Sequence, residues 1–417
     1  MENFDIAKKL NSDLYELSKQ NLGENLVTNL PTFYSGDSIE GILKVVSKVA
    51  PFGKVAVVYT KNCFSEFSKN LTTELKKIGA KPINFIMPDL EFLGGVFSLE
   101  NLFELFYFPE DVRAVITIET SLINEISYYA SVLNIPAVYC VNNGLVENLL
   151  PYRVYVKNAN DIDEVIITCK RHIIIDQKQI IDCKELGAEL FAFIESKISA
   201  FIDYSFNTFI NGDKGQADIY NYAVQSLKEA YSIIEQPLSN RKERLLYNLI
   251  KISLSNYLMQ GELLDYSSLY SALRLLKNGS AYTMLNLCLK IIGVYELYLS
   301  DNFSETLLFP DYNKRAESLS FATGENVNKF IQNFENQIKK LGKINKKLPK
   351  AKKVLLEKVV AVKKDINKIF NTYFALNGKN DGVDNLDISV ALKYSGDLSK
   401  NINLMSLVRE SGITELF

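Results

Sequence analysis

The spacing of apolar residues changes once along this chain, and the change divides it into two parts. In the first part, short apolar runs alternate with amphipathic stretches. Lys54–Tyr59 (KVAVVY), Lys81–Ile86 (KPINFI), Ala114–Ile118 (AVITI) and Ile135–Val141 (IPAVYCV) have the length and β-branched content of buried strands. Between them, Phe67–Ile78 places apolar residues at helical intervals and stops at Gly79, a natural helix terminator. Leu122–Leu133 repeats that spacing. Alternating strands and helices predict βαβ units and a mostly parallel sheet. Arg153–Val156 and His172–Ile175 read as further strands, with Ile180–Asp182 a short companion. The acidic cluster Asp161, Asp163 and Glu164 reads as a solvated loop, and Gly94-Gly95 as a turn.

Strand signals fade after Cys183. Leu190, Phe193, Ile194, Ile198, Phe201 and Ile202 recur at helical spacing, which predicts a bundle of helices. The expected architecture is therefore a Rossmann-like α/β domain over residues 1–183, an all-helical domain over 184–417, and a cleft between them. Within the second domain, Lys339–Lys368 carries twelve lysines against Glu357 and Asp365. Its apolar residues Val354, Leu355, Val359, Val362 and Ile366 keep helical spacing. This predicts a basic amphipathic helix or helical hairpin broken near Pro349, the centre of an insertion over about 325–372. Asn377–Asn385 reads as a polar loop.

Composition narrows the chemistry. Of 417 residues, 47% are hydrophobic and 23% charged, which excludes a disordered or collagen-like chain. The formal net charge of −2 gives no global polyanion footprint, so nucleic acid is not an expected partner. Five scattered cysteines, none in a CxxC pair, suit a reducing compartment, and a cytoplasmic location is expected. The N-terminal segment lacks an apolar signal-peptide core and reads as an amphipathic helix. His172 is the single histidine, so a His-rich metal site is excluded within one chain. Placed at the start of a strand, it reads as structural. The sequence contains no GxxxxGK[ST], HExxH, GxSxG or GxGxxG motif.

Two stretches together resemble the dehydroquinate-synthase-like superfamily. The nearest group by motif is the sn-glycerol-1-phosphate dehydrogenases, relatives of glycerol dehydrogenases and iron-containing alcohol dehydrogenases. In Ala114–Pro136, Ile123-Asn124-Glu125-Ile126 is similar to the family's Ile-Asn-Asp-Ile at a helix start, and Asn134-Ile135-Pro136 to its Gly-Ile-Pro. In Lys184–Tyr222, Lys197, Ser199 and Asp203-Tyr204 fall on its Lys, Thr and Asp-Trp positions. Gly279-Ser280 falls on its Gly-Ser, and the fit runs from about residue 25 to 310. The resemblance implies an NAD(P)-dependent, metal-dependent oxidation of a small polyol or polyol phosphate, in a dimer or larger assembly.

The departures from the pattern fall on the site. The family's Gly-Ser-Gly nucleotide turn aligns with Glu119-Thr120-Ser121, so Glu119, Thr120, Ser121 and Asn124 are the candidate cofactor-binding positions. Side chains there block the close backbone approach that a pyrophosphate needs, and a carboxylate repels it. The family's metal-ligand positions are occupied by Phe193 and Tyr282, with no histidine near Leu308–Asp311. No metal is therefore expected, and an alkoxide formed during hydride transfer would need another stabiliser. Glu147, at the family's substrate-contacting Asp, Lys197 and Tyr282 are the candidate catalytic residues. Three readings follow: a non-catalytic, regulatory or ligand-sensing member of the group; an NAD(P)-dependent oxidoreductase with an altered, metal-free site; and an interaction module acting through the basic insertion on an acidic partner or an anionic membrane surface.

Overall fold

The computed structural model describes residues 5–19, 29–61, 66–87, 96–107, 111–141, 149–158, 161–176, 178, 200–210, 217–234, 242–276, 281–300, 311–377, 385–399 and 401–411. Among the described residues the first half holds nine strands: β1 Thr32–Ser35, β2 Lys54–Thr60, β3 Lys81–Met87, β4 Val96–Ser98, β5 Val112–Thr117, β6 Ala137–Val141, β7 Arg153–Asn158, β8 Asp161–Ile166 and β9 Arg171–Ile175. Its principal helices are α1 Ile6–Ser18, α2 Ser38–Val49, α3 Glu66–Lys77 and α4 Ile123–Leu133. Six strands form a parallel sheet in the order β1-β9-β6-β5-β2-β3. The remaining three form a smaller sheet, β4-β7-β8, in which β7 and β8 are antiparallel.

Alternation along β2 explains how the main sheet is covered. Ala56 and Val58 join the apolar cluster on one face, with Ile126 and Tyr129 of α4 and Ile6, Leu10 and Leu14 of α1. Val55, Val57 and Tyr59 join the cluster on the other face, with Ile42 and Val46 of α2 and Leu71 and Leu75 of α3. Successive side chains on a strand point to opposite faces, so a parallel strand must be apolar at every position. Local signals set the helix ends. Asp37 caps α2 by accepting from the Ile39 and Glu40 amides at 2.9 and 3.1 Å. Gly79 follows α3 at φ +84°, and Asn134 follows α4 at φ 52°, both in the left-handed region that ends helices.

The edge strand β1 is bound by a side chain that imitates a peptide. Asn11 of α1 donates to the Phe33 carbonyl at 2.9 Å and accepts from the Phe33 amide at 3.1 Å. The expected amphipathic N-terminal helix therefore also closes the sheet edge.

The second half is helical among the described residues: α5 at 200–210, α6 Ala217–Ile234, α7 Lys242–Leu258, α8 Ser268–Leu273, α9 Ala281–Ser300, α10 Tyr312–Thr323, α11 Val327–Asn345, α12 Leu348–Asn377, α13 Asn385–Leu398 and α14 Leu404–Glu410. A short turn of helix, Glu262–Asp265, links α7 to α8. The apolar face of α9 packs with α8, α12, α13 and α14 around Leu287, Ile291 and Tyr295. Asp203 of α5 sits fully buried in this half. It accepts from the Ser268 amide at 2.9 Å and from the Tyr295 hydroxyl at 2.6 Å, anchoring the start of α8.

Two expectations need correction. Asp161–Ile166 is strand β8, not a solvated loop: backbone pairing with β7 outweighs the weak strand preference of its acids. The basic segment is interrupted at Lys346-Lys347, and Pro349 is the second residue of α12, where a missing N–H leaves no helical bond unmade. The two helices do not form a hairpin pair; α11 packs beside α10, and α12 lies along α9. The boundary expected near residue 183, Ile180–Asp182, Gly94-Gly95 and most of the Asn377–Asn385 loop lie outside the described residues. No described helix is long and apolar enough to cross a membrane. Cys140, Cys169 and Cys288 are buried and take part in no disulfide.

Gly396 marks a close backbone contact between α13 and α14. A Cβ there would meet the Met405 carbonyl carbon and oxygen at 2.8 Å and the Ser406 nitrogen at 2.9 Å, all backbone atoms. Gly396→Ala should therefore push α13 off α14 and lower stability by about 1–3 kcal/mol, read as a drop in the urea midpoint. An unchanged midpoint would show that the two helices are not in close backbone contact.

Candidate functional site

A cavity of about 420 Å³ lies where the small sheet meets the helical half. Its walls come from the start of α4, from β7 and β8, and from α7, α8, α11 and the end of α13. Every one of the described arginines and lysines in its lining is held by a carboxylate. Arg153 of β7 pairs with Glu164 of β8 at 2.6 Å and with Asp265 at 3.2 Å. It also donates to the Gln260 carbonyl, which the left-handed turn at Gln260 (φ 55°) and Gly261 (φ +79°) helps to present. Arg274, just past α8, pairs with Glu325 at 2.9 Å, and Lys329 of α11 pairs with the same carboxylate at 3.0 Å. The Arg274 guanidinium lies over the Tyr155 ring, 5.5 Å from its centre. Burial holds the Tyr155 phenol well above its ordinary range, so it stays protonated and can donate.

This arrangement ties the two halves of the chain together. Arg153 reaches from β7 to Asp265, and Lys329 donates to the Ile162 carbonyl of β8 at 3.2 Å. Asp397 at the far wall is backed by Arg315 and by Arg409, the latter at 3.5 Å. The lining is completed by hydroxyl and amide groups, among them Ser253, Asn256, Tyr270 and Ser271. Paired ions with interspersed neutral donors and acceptors suit an uncharged polar ligand. An anion would have to draw a cation away from its carboxylate.

The expected nucleotide turn is built differently from a phosphate cradle. Thr120–Leu122 forms one 3₁₀ turn between β5 and α4. Glu119 is buried at the end of β5, and its carboxylate accepts from the Thr60 amide at 2.6 Å and from the Thr60 hydroxyl at 2.9 Å. Thr60 ends β2, the neighbouring strand, and ligands of open α/β sheets bind at the strand ends where the order reverses. Here the order reverses between β2 and β5, and Glu119 bridges their ends. The residues present therefore do not fit a dinucleotide pyrophosphate at this turn. Thr120 and Ser121 lie outside the cavity lining, whereas Asn124 contributes to it.

The other candidates are only partly visible. Glu147, Phe193 and Lys197 lie outside the described residues. Tyr282 is the second residue of α9, and its side chain is not among those described. Asp311, in the region where the family carries a histidine, caps α10 by accepting from the Asn313 amide at 3.0 Å. Among the described residues no three His, Cys, Asp or Glu side chains are grouped so as to hold a metal ion. His172 shares a 3.2 Å hydrogen bond with the Tyr34 hydroxyl. Burial, aided by Lys170 and Lys48, pushes the imidazole down to about 4, so it is neutral near pH 7.

Sequence reasoning missed Arg153, Asp265, Arg274, Glu325 and Lys329. The available signal was the scarcity of arginine, 8 residues against 39 lysines, since a rare arginine is often an internal ion partner.

Comparison with known proteins bears on the fold. No protein-family model and no curated protein matches the sequence. Solved structures do match. The NADH-dependent butanol dehydrogenase A of Thermotoga maritima is 13% identical over 93% of this chain and 97% of its own, with a TM-score of 0.57. An iron-containing alcohol dehydrogenase from Thermococcus thioreducens is 8% identical, covering 92% and 97%, with a TM-score of 0.53. A maleylacetate reductase from Agrobacterium tumefaciens is 10% identical, covering 91% and 94%, at 0.52. At these identities the likeness establishes the architecture alone: this chain has the two-domain fold of the iron-containing alcohol dehydrogenases.

Two variants test the site's electrostatics. Glu119→Ala leaves the buried Thr60 amide without its acceptor and should lower stability by about 1–3 kcal/mol in urea unfolding. Glu125, beside Asn124 on α4, is buried, and burial pushes its carboxyl up to about 8. Between the ordinary carboxylate range and pH 8 the folded protein keeps this proton while the unfolded chain releases it. Stability therefore falls as pH rises through that window, by at most about 1.4 kcal/mol per unit. Glu125→Gln should gain stability over the wild type between pH 5 and pH 8; an equal difference at both values would refute the buried, protonated state.

Proposed function

We propose that this protein is a ligand-sensing, non-dehydrogenase relative of the glycerol-1-phosphate dehydrogenase group, whose cleft takes a small uncharged polyhydroxy molecule. The observation that carries this reading is the Glu119–Thr60 clamp across the ends of β2 and β5. A nicotinamide dinucleotide bound in the fold's usual position would bring its phosphates against that buried carboxylate. Glycine backbone would welcome them; Glu119 opposes them. The cleft itself is open rather than filled, and its hydroxyl and amide lining matches alcohol groups better than phosphate, because its cations are already paired. A regulatory role follows from a pocket that joins two halves of the chain. A ligand bridging β7 and α11 stabilises one relative arrangement of the halves over others.

One observation favours a second reading. The cavity reaches Asn124 at the start of α4, the helix end that faces the cofactor in dehydrogenases of this fold. An NAD(P)-dependent oxidoreductase working without metal on a polyol or polyol phosphate would use that approach.

Titration with NADH and NADPH by calorimetry, first without metal and then with zinc, separates the two. The chain has no tryptophan, so the usual energy-transfer fluorescence is absent and heat must report binding. The expected result is no saturable binding up to about millimolar nucleotide, together with a rise in melting temperature on adding glycerol-type polyols. Micromolar nucleotide binding, with zinc or without it, would overturn the ligand-sensing reading in favour of the enzyme.

A further inference from the structure

Charge is segregated along this chain, and the structure gathers the positive part at one place. Lys339–Lys368 carries a net +10, whereas the whole chain carries −2, so the remaining residues carry −12. The junction between α11 and α12 is the centre of this charge. Lys339, Lys340, Lys343, Lys346, Lys350 and Lys353 are all exposed there, and none forms an ion pair with a described residue. The inward side of the same segment is apolar: Leu341, Leu348, Ala351, Leu355 and Val359 are buried in the cluster built around α9. Packing therefore fixes which side faces out and leaves these six lysines toward solvent, while Lys347 between them turns back to donate to the Ile210 carbonyl at 2.8 Å. Glu357 and Asp365 follow later in α12, so the junction itself carries no acid.

The composition of this surface selects among polyanions. Its cations are lysines without an arginine, and 339–368 contains no aromatic residue. Nucleic-acid surfaces rely on arginine forks and on aromatic rings that stack with bases, and neither is present. Lysine is a flexible point charge suited to a plane of anionic headgroups. Val354 and Val360 of α12 are 45% and 46% exposed, next to Lys353 and about two turns beyond it, and provide apolar groups along the same helix. A basic helical segment with exposed aliphatic side chains is the pattern of surface-bound, non-spanning association.

We infer that the α11–α12 junction docks the protein onto anionic lipid bilayers, independently of what occupies the cleft. The full-length protein is mixed with phosphatidylcholine vesicles, and with vesicles in which about 30% of the lipid is phosphatidylserine, and binding is read by co-sedimentation over a salt series. The expected result is at least tenfold tighter binding to the anionic vesicles, lost on raising the salt. Reversal of Lys339, Lys343, Lys346 and Lys350 to Glu should lower that binding at least tenfold. Reversal of Lys8, Lys44, Lys48 and Lys76, exposed lysines on α1, α2 and α3, changes net charge equally and should leave it nearly intact. Circular dichroism and the urea midpoint check that both variants are folded. Absence of binding to anionic vesicles, or equal losses in the two variants, overturns the proposal. Tighter, junction-dependent binding to a short RNA duplex than to the vesicles also overturns it, and assigns the surface to nucleic acid.

Discussion

The six-stranded parallel sheet must be covered on both faces, and the rest of the structure depends on how that is met. One face is closed locally by α2 and α3. On the other face, α1 and α4 share a continuous apolar cluster with Tyr204 of α5, Ile219 and Ala223 of α6, and Leu249 and Leu254 of α7. The helical half is therefore cemented to the α/β half by hydrophobic burial and not merely linked to it. Polar ties reinforce the joint: Asp13 of α1 accepts from the hydroxyls of Tyr222 at 2.7 Å and Tyr247 at 2.5 Å.

The cavity lies beside this cluster, where the two halves diverge. Its cations are each matched to a carboxylate because partly buried ions need partners. Arg153 serves two carboxylates and Glu325 serves two cations, so the pairs balance while crossing the gap between β7, Asp265 and α11. Such a lining offers hydrogen-bonding groups, while each of its described cations is already matched to a carboxylate. Glu119 is a related device at a different place. A carboxylate that would oppose a phosphate is here used to join two strand ends.

The elements most legible in the sequence were those whose burial leaves a continuous signal. β2, β5, β6 and β9 are apolar runs since the central strands touch protein on both faces, β3 at the sheet edge buries only Phe85 and Met87, and α3 and α4 end at Gly79 and Asn134, where left-handed backbone is required. The strands that were missed had no such signal. β1 is four residues long, and its place depends on Asn11 from a distant helix. β8 alternates acids with isoleucine and valine, and exists because β7 pairs with it. Of the candidate site positions, Asn124 reached the cavity through the helix start that the motif marked, while the side chains that shape the cavity come from segments far apart in sequence.

The sequence by itself determined the alternation of the central strands with helices, the absence of glycine from Glu119-Thr120-Ser121, and the concentration of lysine near residue 350, because periodicity, backbone freedom and charge are local properties. Only the tertiary structure decided that Glu119 would meet Thr60, that Arg153 would meet Asp265, and that Lys339, Lys340, Lys343, Lys346, Lys350 and Lys353 would face outward at the α11–α12 junction. Those outcomes depend on which segments pack together, and a buried ion or hydrogen bond has meaning only once its distant partner is in place.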